Sequence, residues 1–536
     1  MKNKLTKYVV GAVVLTMVTL SCAKKLDLYP TNDLTPEKTY STAAGYKSVL
    51  AKIYGTLAIT GNRGPAGNPD ISGGLDEGSQ VAFIRMLFNC NELPTDEAVV
   101  AWNDQTIHDF HDLKFTSADP FLKGIYARPI YNITLINEYM RESTDAKLAE
   151  RGIGGTDAAD IKKSVAEVRF LRAYNYWVMM DLFGKSTFIT EDDLIGTTLP
   201  KEISRANLFL YIEKELKAID ADLAPVKTIE YGRVDQGAAW ALLARIYLNA
   251  GVYTGTTKYT EAVTYSKKVI DAGYALYPGY PRVFMADNDK AKDEFMFAVN
   301  CDGLRTQAYG NTTFFAHAAC GDEGVEYGVG GGWYGYRSTS AFVNLFADNT
   351  GATDKRAMFT TSKYGTGASQ LVITDISNFD QGPHVKKYVN IRSDGGPVSD
   401  SKKEFADIDF PIFRLSEMYL IYAEAVLRAG TGGDATTALG YMNNIRTRAY
   451  GNVSGNISAG QLNLQYVLDE RGRELYWEGH RRTDLVRYGL LTTGTYLWPW
   501  KGGVSSGTAV DAKYNLFPIP ASNIVANPNL TQNTGY

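Results

Sequence analysis

Aromatic residues that stand beside amides and carboxylates are the part of this sequence best suited to binding chemistry. The chain of 536 residues contains 35 Tyr, 22 Phe and 7 Trp. A flat, rigid ring can stack on the apolar C–H face of a sugar at little entropic cost, while neighbouring polar groups bind its hydroxyls. The rings in question are Trp102, Tyr309, Phe314, Phe315, Trp333, Tyr334 and Tyr336, and their polar neighbours include Asn103, Asp104, Asn311 and Arg337. Glycan binding is one interpretation; packing on the protein's own scaffold or against a protein partner is the alternative.

Metal and cofactor motifs are weak in this chain. His108, His111 and Asp112 could share one helical turn, but no third ligand follows and no Glu lies between the histidines as in zinc proteases. The glycine-rich run at 328–333 is not followed by the Lys and Ser or Thr of a phosphate-binding loop. Acidic residues around Asp287 favour a solvated turn over a calcium site. We therefore predict no catalytic residue, no metal and no cofactor, and a secreted hydrolase remains a less favoured alternative.

A charged segment at residues 470–484 could also suggest catalysis, but its spacing favours a structural role. Three pairs of opposite charge lie three or four residues apart, as ion pairs along one helix do. They are Glu470 with Arg473, Glu478 with Arg482, and His480 with Asp484. Such a helix would turn Leu475, Trp477 and Leu485 toward a core.

The elements that must position these residues are mostly helices. Apolar residues recur at spacings of three and four over residues 44–57, 121–139, 161–182, 207–223, 238–250, 259–271, 413–429, 435–449 and 466–488. Residues 244–251 can be aligned with 423–430, and the helices that follow share small and apolar positions. This similarity is typical of stacked helical hairpins of the tetratricopeptide type, of about 34 residues each. The predicted fold is mainly α.

Two long segments, at about 60–118 and 277–409, are rich in Gly, Asn, Asp, Thr and aromatic residues and show little helical periodicity. Long loops in a compact protein usually carry function. We expect a single globule over 37–536, in which about 37–59, 119–276 and 410–490 form the scaffold, the two long segments bind ligand, and 491–536 is a C-terminal segment.

The N-terminus resembles an export signal. Lys2, Lys4 and Lys7 precede an apolar run at residues 8–20, and small residues lead into Cys22. At about 1.5 Å per residue this run is too short for a hydrocarbon core of about 30 Å. We predict a lipoprotein signal peptide over 1–21, lipidation at Cys22 and a polar tether over 22–36, with an ordinary cleaved signal as the alternative.

Charge and cysteine content limit the remaining possibilities. There are 55 Lys and Arg against 59 Asp and Glu, and no long basic run, so nucleic acid is not expected as a partner. In an oxidising compartment Cys301 and Cys320 could form a disulfide bond, although buried thiols are equally compatible with the sequence, as for Cys90.

Several short segments, taken together and in order, resemble the SusD/RagB family of outer-membrane nutrient-binding lipoproteins. They are Ser21-Cys22 followed by LDLYP at 26–30, ELPTDE at 92–97, RFLRAY at 169–174 with LFG at 182–184, ALLARIYL at 241–248, FRLSEMYLIYAEA at 413–425, the charged segment 470–487, FPIP at 517–520 and NPNLTQN at 527–533.

The resemblance implies a right-handed superhelix of tetratricopeptide-like helix pairs that supports a loop-rich binding region, on the outer surface of the cell outer membrane. It implies that the protein is not an enzyme but captures oligosaccharides and delivers them to a SusC-like TonB-dependent transporter, with the lipid on Cys22 as its membrane anchor. By position in the family, the ligand-binding residues are expected to be Trp102, Asn103, Asp104, Trp333, Tyr334, Tyr336 and Arg337. A transporter lid that binds peptides or proteins and has little affinity for sugars is the alternative.

Overall fold

The computed structural model describes residues 35–61, 64–65, 70–71, 80–104, 106–194, 196, 198–321, 324–360 and 371–536. Its α-helices are α1 (Pro36–Thr39), α2 (Ala43–Gly55), α3 (Phe83–Asn91), α4 (Ile107–Asp112), α5 (Pro120–Glu142), α6 (Asp145–Glu150), α7 (Gly155–Phe183), α8 (Arg205–Ala218), α9 (Gln236–Leu248), α10 (Ala250–Thr254), α11 (Tyr259–Ile270), α12 (Thr312–Ala318), α13 (Gly324–Tyr327), α14 (Ser340–Val343), α15 (Leu415–Leu427), α16 (Ala435–Tyr450), α17 (Leu464–Leu475), α18 (Arg481–Arg487) and α19 (Ala521–Ala526).

The strands are short and pair in antiparallel twos. They are β1 (Val99–Val100), β2 (Ser186–Phe188), β3 (Lys201–Ile203), β4 (Phe295–Val299), β5 (Tyr336–Arg337), β6 (Phe359–Thr360), β7 (His384–Val385) and β8 (Phe410–Arg414). The pairs are β1 with β5, β2 with β3, β4 with β8, and β6 with β7. Two of the pairs, β1 with β5 and β4 with β8, join segments that are distant in the chain, and the helices form the body of the protein.

Side-chain caps fix where the scaffold helices begin. Asp119 accepts hydrogen bonds from the backbone N–H groups of Phe121 and Leu122 at the start of α5. Ser204, Asp235 and Asp434 cap α8, α9 and α16 in the same way. These residues satisfy N–H groups that have no partner inside the helix, which stabilises each helix by about 1 kcal/mol.

The helices stack in order along the chain. Helix α5 packs on α7, α7 on α8, α9 on α11, α11 on α15, and α15 on α16. The two aligned helix pairs are neighbours in this stack, and α9 is buried from Gly237 to Leu248. The predicted mainly α fold, with successive helix pairs packed on each other, is confirmed.

Each predicted helical segment contains a helix, but the last one is divided. Residues 466–488 form α17 and α18, because the backbone turns at Trp477 (φ 60°) and Gly479 (φ 84°). The N–H of Trp477 donates to Glu97 Oε2 at 2.9 Å, so a tertiary hydrogen bond replaces helical ones. The prediction of one continuous helix is wrong.

The break changes the predicted ion pairs as well. Glu470 and Arg473 form theirs, at 2.7 Å. Glu478 instead binds Lys387 and Arg414, and Asp484 binds Arg471 and Arg487. All of these side chains are buried, as are Leu475, Trp477 and Leu485. The segment forms a core ion network that contains one of the three expected pairs, whereas Glu478 and Asp484 have other partners than expected.

Cys90, Cys301 and Cys320 are buried thiols, so the disulfide alternative for Cys301 and Cys320 is not formed. Cys301 follows β4, where burial raises the pKa of its thiol to about 12, whereas Cys320 lies two residues beyond α12.

The predicted signal peptide, Cys22 and most of the tether lie outside the described residues. Within the described ranges, no helix has both the length and the apolar character to cross a membrane.

Candidate functional site

A short strand pair brings the two predicted aromatic segments together. Strand β1 pairs with β5 so that Val99 lies opposite Arg337 and Val100 opposite Tyr336. The N–H of Ala101 then donates to the Gly335 carbonyl at 2.8 Å. Trp102 follows Ala101 directly. Gly335 (φ 113°) leaves room for the indole because it has no side chain, and a Cβ on residue 335 would lie 2.3 Å from Trp102 Nε1.

Trp102 and Trp333 line the same open cleft, which has a volume of about 710 Å³. This volume is within the range of about 300–1,000 Å³ that is usual for small-molecule sites. The lining residues are Gln80, Arg85, Trp102, Asn103, Asp104, Tyr309, His317, Trp333, Phe379 and Glu404. The structure thus brings together four of the predicted ligand-binding residues, Trp102, Asn103, Asp104 and Trp333; their contact with a ligand stays a prediction.

Trp102 is half-buried and is supported from behind by other rings. Tyr336 meets it edge-on at a centroid distance of 5.0 Å, and Phe314 lies at 6.4 Å. The Arg85 guanidinium lies 5.5 Å from the centre of the Trp102 ring and 4.9 Å from that of Phe314. These aromatic and cation–π contacts hold the indole in one orientation before any ligand arrives.

Trp333 is held in the same cleft by a different set of contacts. Its ring stacks on His317 at a centroid distance of 4.7 Å, with an angle of 18° between the planes. The backbone N–H of Trp333 donates to the backbone carbonyl of His317 at 2.8 Å. Tyr309 contacts the Trp333 ring edge-on at 6.0 Å and donates its hydroxyl to Glu404 Oε1 at 2.6 Å. Both tryptophans are therefore fixed by packing from the protein side.

Two predicted ligand-binding residues are buried and line no part of the cleft. Tyr336 is 0% exposed and donates its hydroxyl to Asn89 Oδ1 at 2.9 Å. Arg337 is also 0% exposed, and its guanidinium donates to the carbonyls of Ile376, Asn378 and Gln381. The expectation that these two side chains contact ligand is wrong, because pairing of β5 with β1 places both in the interior; they support the cleft instead.

Tyr334 is half-buried and does not line the cleft. Its φ of 54° turns the chain, and its ring lies near Phe379, at 6.4 Å, and His384, at 6.0 Å.

Of the loop aromatics, Phe314 and Phe315 are core residues. Sequence reasoning missed Gln80, Arg85, His317, Phe379 and Glu404. Only Phe379, a large ring in a long polar loop, carried a signal that could have identified it.

The segment before Trp102 is anchored by buried carboxyl groups. Glu92 Oε1 accepts the N–H groups of Gly479 and His480, at 2.5 and 3.1 Å. Glu97 accepts the Trp477 N–H, and its own carbonyl accepts Trp477 Nε1–H at 3.1 Å. Burial and the neighbouring Glu97 raise the pKa of Glu92 well above its usual range, and burial raises the pKa of Glu97 to about 7. Glu92 is therefore the member of this buried pair that keeps a proton more readily.

Among the described residues, no group of three or more His, Cys, Asp or Glu side chains is arranged to hold a metal. The His108 and His111 rings lie 5.2 Å apart, and His111 Nδ1 is 3.0 Å from Asp112. Asp287 accepts hydrogen bonds from Lys290 and from the Ser393 hydroxyl, each at 2.8 Å. The acidic turn around Asp287 is therefore bound by the protein's own donors.

The fold and the cleft define a class of protein in which a stack of helical hairpins supports an open aromatic cleft built from long loops. The family model described as the SusD family matches residues 356–536. Over the full length of both chains, the protein is 36% identical to the starch-binding protein SusD of Bacteroides thetaiotaomicron. The chain belongs to the SusD family.

Other relatives agree with this assignment. SusD-like protein P25 of Formosa agariphila is 23% identical, over 96% of this chain and 97% of its own. A SusD superfamily structure from Bacteroides thetaiotaomicron has a TM-score of 0.69 at 20% identity and covers 92% of this chain and 99% of its own. Surface glycan-binding protein A from the same organism, solved with laminarihexaose, has a TM-score of 0.67 at 19% identity, over 91% of this chain and 99% of its own. At this identity the two solved structures support the fold alone.

Proposed function

We propose that this protein is a cell-surface glycan-binding lipoprotein that captures starch-type oligosaccharides for import. The observation that carries the proposal is the placement of Trp102 and Trp333 in one open cleft, next to Asn103 and Asp104. Two half-exposed rings offer faces for sugar C–H groups, and the amide and carboxylate accept or donate hydrogen bonds to hydroxyls. The full-length similarity to a relative named as starch-binding supports an α-glucan as ligand.

The charges in the cleft favour a neutral glycan. Asp104 and Glu404 contribute carboxylates, and Arg85 contributes a guanidinium already engaged by the faces of Trp102 and Phe314. A sulfated or uronic-acid-rich chain would place like charges close together in a partly desolvated space, which is unfavourable. Neutral hydroxyl groups can instead use both carboxylates as acceptors.

The location and the partner are part of the same proposal. Cys22 would carry the lipid that anchors the protein to the outer membrane, and a SusC-like TonB-dependent transporter would receive the captured glycan. The signal-like N-terminus and membership of the SusD family support this arrangement. The proposed role needs binding and release of an unchanged glycan, so the protein acts without catalysis.

Isothermal titration with maltoheptaose, cellohexaose and laminarihexaose tests the proposal on protein that begins after Cys22. We expect binding of maltoheptaose, and a loss of about 1–3 kcal/mol in Trp102→Ala and in Trp333→Ala, by analogy with base stacking on aromatic residues. Tyr277→Ala, which removes a half-buried ring outside the cleft, serves as the control. Unchanged affinity in both tryptophan variants would place the site elsewhere. Co-purification with a barrel but no binding of any glycan would favour a peptide-binding lid, and release of shorter sugars would indicate a hydrolase.

A further inference from the structure

The imidazole of His317 connects three separate segments of the cleft wall. His317 lies in α12, and its Nδ1 is 2.6 Å from the Gly331 carbonyl oxygen. Its Nε2 is 3.0 Å from the Glu404 carbonyl oxygen. The Trp333 ring lies parallel to the imidazole, at 4.7 Å. One side chain therefore joins the Gly331 turn, the Glu404 segment and a ring that faces the proposed ligand.

Both ring nitrogens face hydrogen-bond acceptors. A neutral imidazole has one N–H donor and one lone pair, so it can donate to only one of these two carbonyls. The second nitrogen then directs its lone pair at an oxygen, which is repulsive. An imidazolium donates to both carbonyls at once, and it adds a cation–π attraction to the Trp333 face.

We propose that His317 is a positioning residue whose protonation locks Trp333 and the Glu404 segment in the ligand-binding arrangement. Ligand binding and proton binding then strengthen each other, as linkage requires for two events that favour one conformation. This inference rests on the proposed function of the cleft.

The surroundings of His317 set the pH range. Burial lowers the pKa of His317, whereas the Gly331 and Glu404 carbonyls and the Glu404 charge act in the opposite direction. The other titratable or charged groups on the walls are Tyr309, which binds Glu404, Cys320 just beyond α12, and Arg85 and Asp104, which line the same cleft. Because burial dominates, the ring of the ligand-free protein is neutral at pH 7. We expect ligand to raise the pKa of His317 and affinity to increase as the pH falls.

Titration calorimetry with maltoheptaose at pH 5.5, 6.5 and 7.5, in two buffers of different protonation enthalpy, tests this linkage. If ligand raises the pKa of His317 by one unit, affinity increases by up to about tenfold toward acid pH, with proton uptake on binding. His317→Gln, whose amide cannot take a proton, should bind without uptake and with little pH dependence. His108→Gln, outside the cleft, should behave as the wild type. Binding without proton uptake in the wild type, or uptake that persists in His317→Gln, would overturn the proposal.

A measurement without ligand separates this proposal from the proposed function. The protein has five histidines, so the two nitrogens of His317 can be followed by NMR through comparison with His317→Gln. Acidification should protonate the ring and quench the part of the fluorescence that Trp333→Phe removes, because an imidazolium stacked on an indole quenches it. Failure to bind maltoheptaose would refute the proposed function only. A His317 ring that titrates without affecting Trp333 would refute the lock.

Discussion

Arg481 and Asp96 form a two-point ion pair in the interior, with Nε–Oδ1 and Nη2–Oδ2 distances of 2.8 Å each. Both side chains are buried, and Asp96 also accepts the Tyr496 hydroxyl at 2.6 Å. Asp96 lies just before β1, which leads to Trp102, and Arg481 is the first residue of α18. The pair therefore fixes one side of the cleft to the C-terminal helices.

Replacing Arg481 by Met should destabilise the protein strongly. The change leaves the Asp96 carboxylate buried without its cation, and breaking such a pair typically costs about 3–5 kcal/mol. Urea unfolding measures the loss. Arg305→Met removes a mostly exposed guanidinium, paired with Asp302 at 2.7 Å, and should have a much smaller effect. Equal losses in the two variants would contradict a dominant role for the buried pair.

Tyr336→Phe should separate support of the cleft from contact with ligand. The variant keeps the ring that packs on Trp102 but removes the hydroxyl that binds Asn89, at a cost of about 1 kcal/mol in the free energy of unfolding. Because Tyr336 is buried, affinity for maltoheptaose should stay close to that of the wild type in titration calorimetry. A loss as large as that of Trp102→Ala would show that Tyr336 touches ligand.

Phe379 is expected to contribute a third ring face to the cleft. It is 37% exposed, and Phe379→Ala should weaken maltoheptaose binding by about 1 kcal/mol, at the lower end of stacking contributions. Val372→Ala is the matched control, since Val372 lies in the same loop, is 48% exposed and does not line the cleft. If both variants bind as the wild type does, Phe379 is not part of the site.

Glu92 should make stability depend on pH in a specific direction. In the unfolded chain the Glu92 carboxyl group loses its proton near pH ~4.3, whereas in the folded protein it keeps the proton to higher pH because its pKa is raised. The folded state thus binds an extra proton at Glu92, and the contribution of Glu92 to the free energy of unfolding should fall by about 1.4 kcal/mol per pH unit as the pH rises above that value.

Glu92→Gln should remove this contribution, because the amide oxygen still accepts the Gly479 and His480 N–H groups but the amide takes up no proton in this pH range. Urea unfolding at pH 5.5, 6.5 and 7.5 gives the slope. Glu150→Gln, which replaces an acid that is 68% exposed, should keep the wild-type slope. The interpretation fails if Glu92→Gln keeps it too.

Local sequence patterns predicted the helices well, because the residues that specify a helix lie within the helix itself or at its ends. Apolar spacing and capping residues are read over a single turn, and α5, α11 and α16 begin and end within a few residues of the expected positions. The break after α17 could not be predicted in this way. It depends on Glu97, which is remote in the chain and accepts the N–H of Trp477.

Prediction of the cleft from local sequence patterns was limited in the same way. Trp102 and Trp333 could be selected because large rings in long polar loops are unusual, whereas Tyr336 has the same composition signal but lies in a buried strand. The exposure of a loop ring depends on pairing such as that of β1 with β5, which no local pattern encodes. Arg85 and His317 act through contacts with rings from other segments, so their roles appear only in three dimensions.

The turn at Trp477 implies an order of events during biogenesis. Glu97 and Trp477 must meet to anchor the segment that carries Trp102, and closing so long a loop is entropically costly until the later helices are present. A chain emerging from its N-terminus would have to be nearly complete before this anchor could form. A fragment that ends before Trp477 would keep early hairpins but lack a finished cleft.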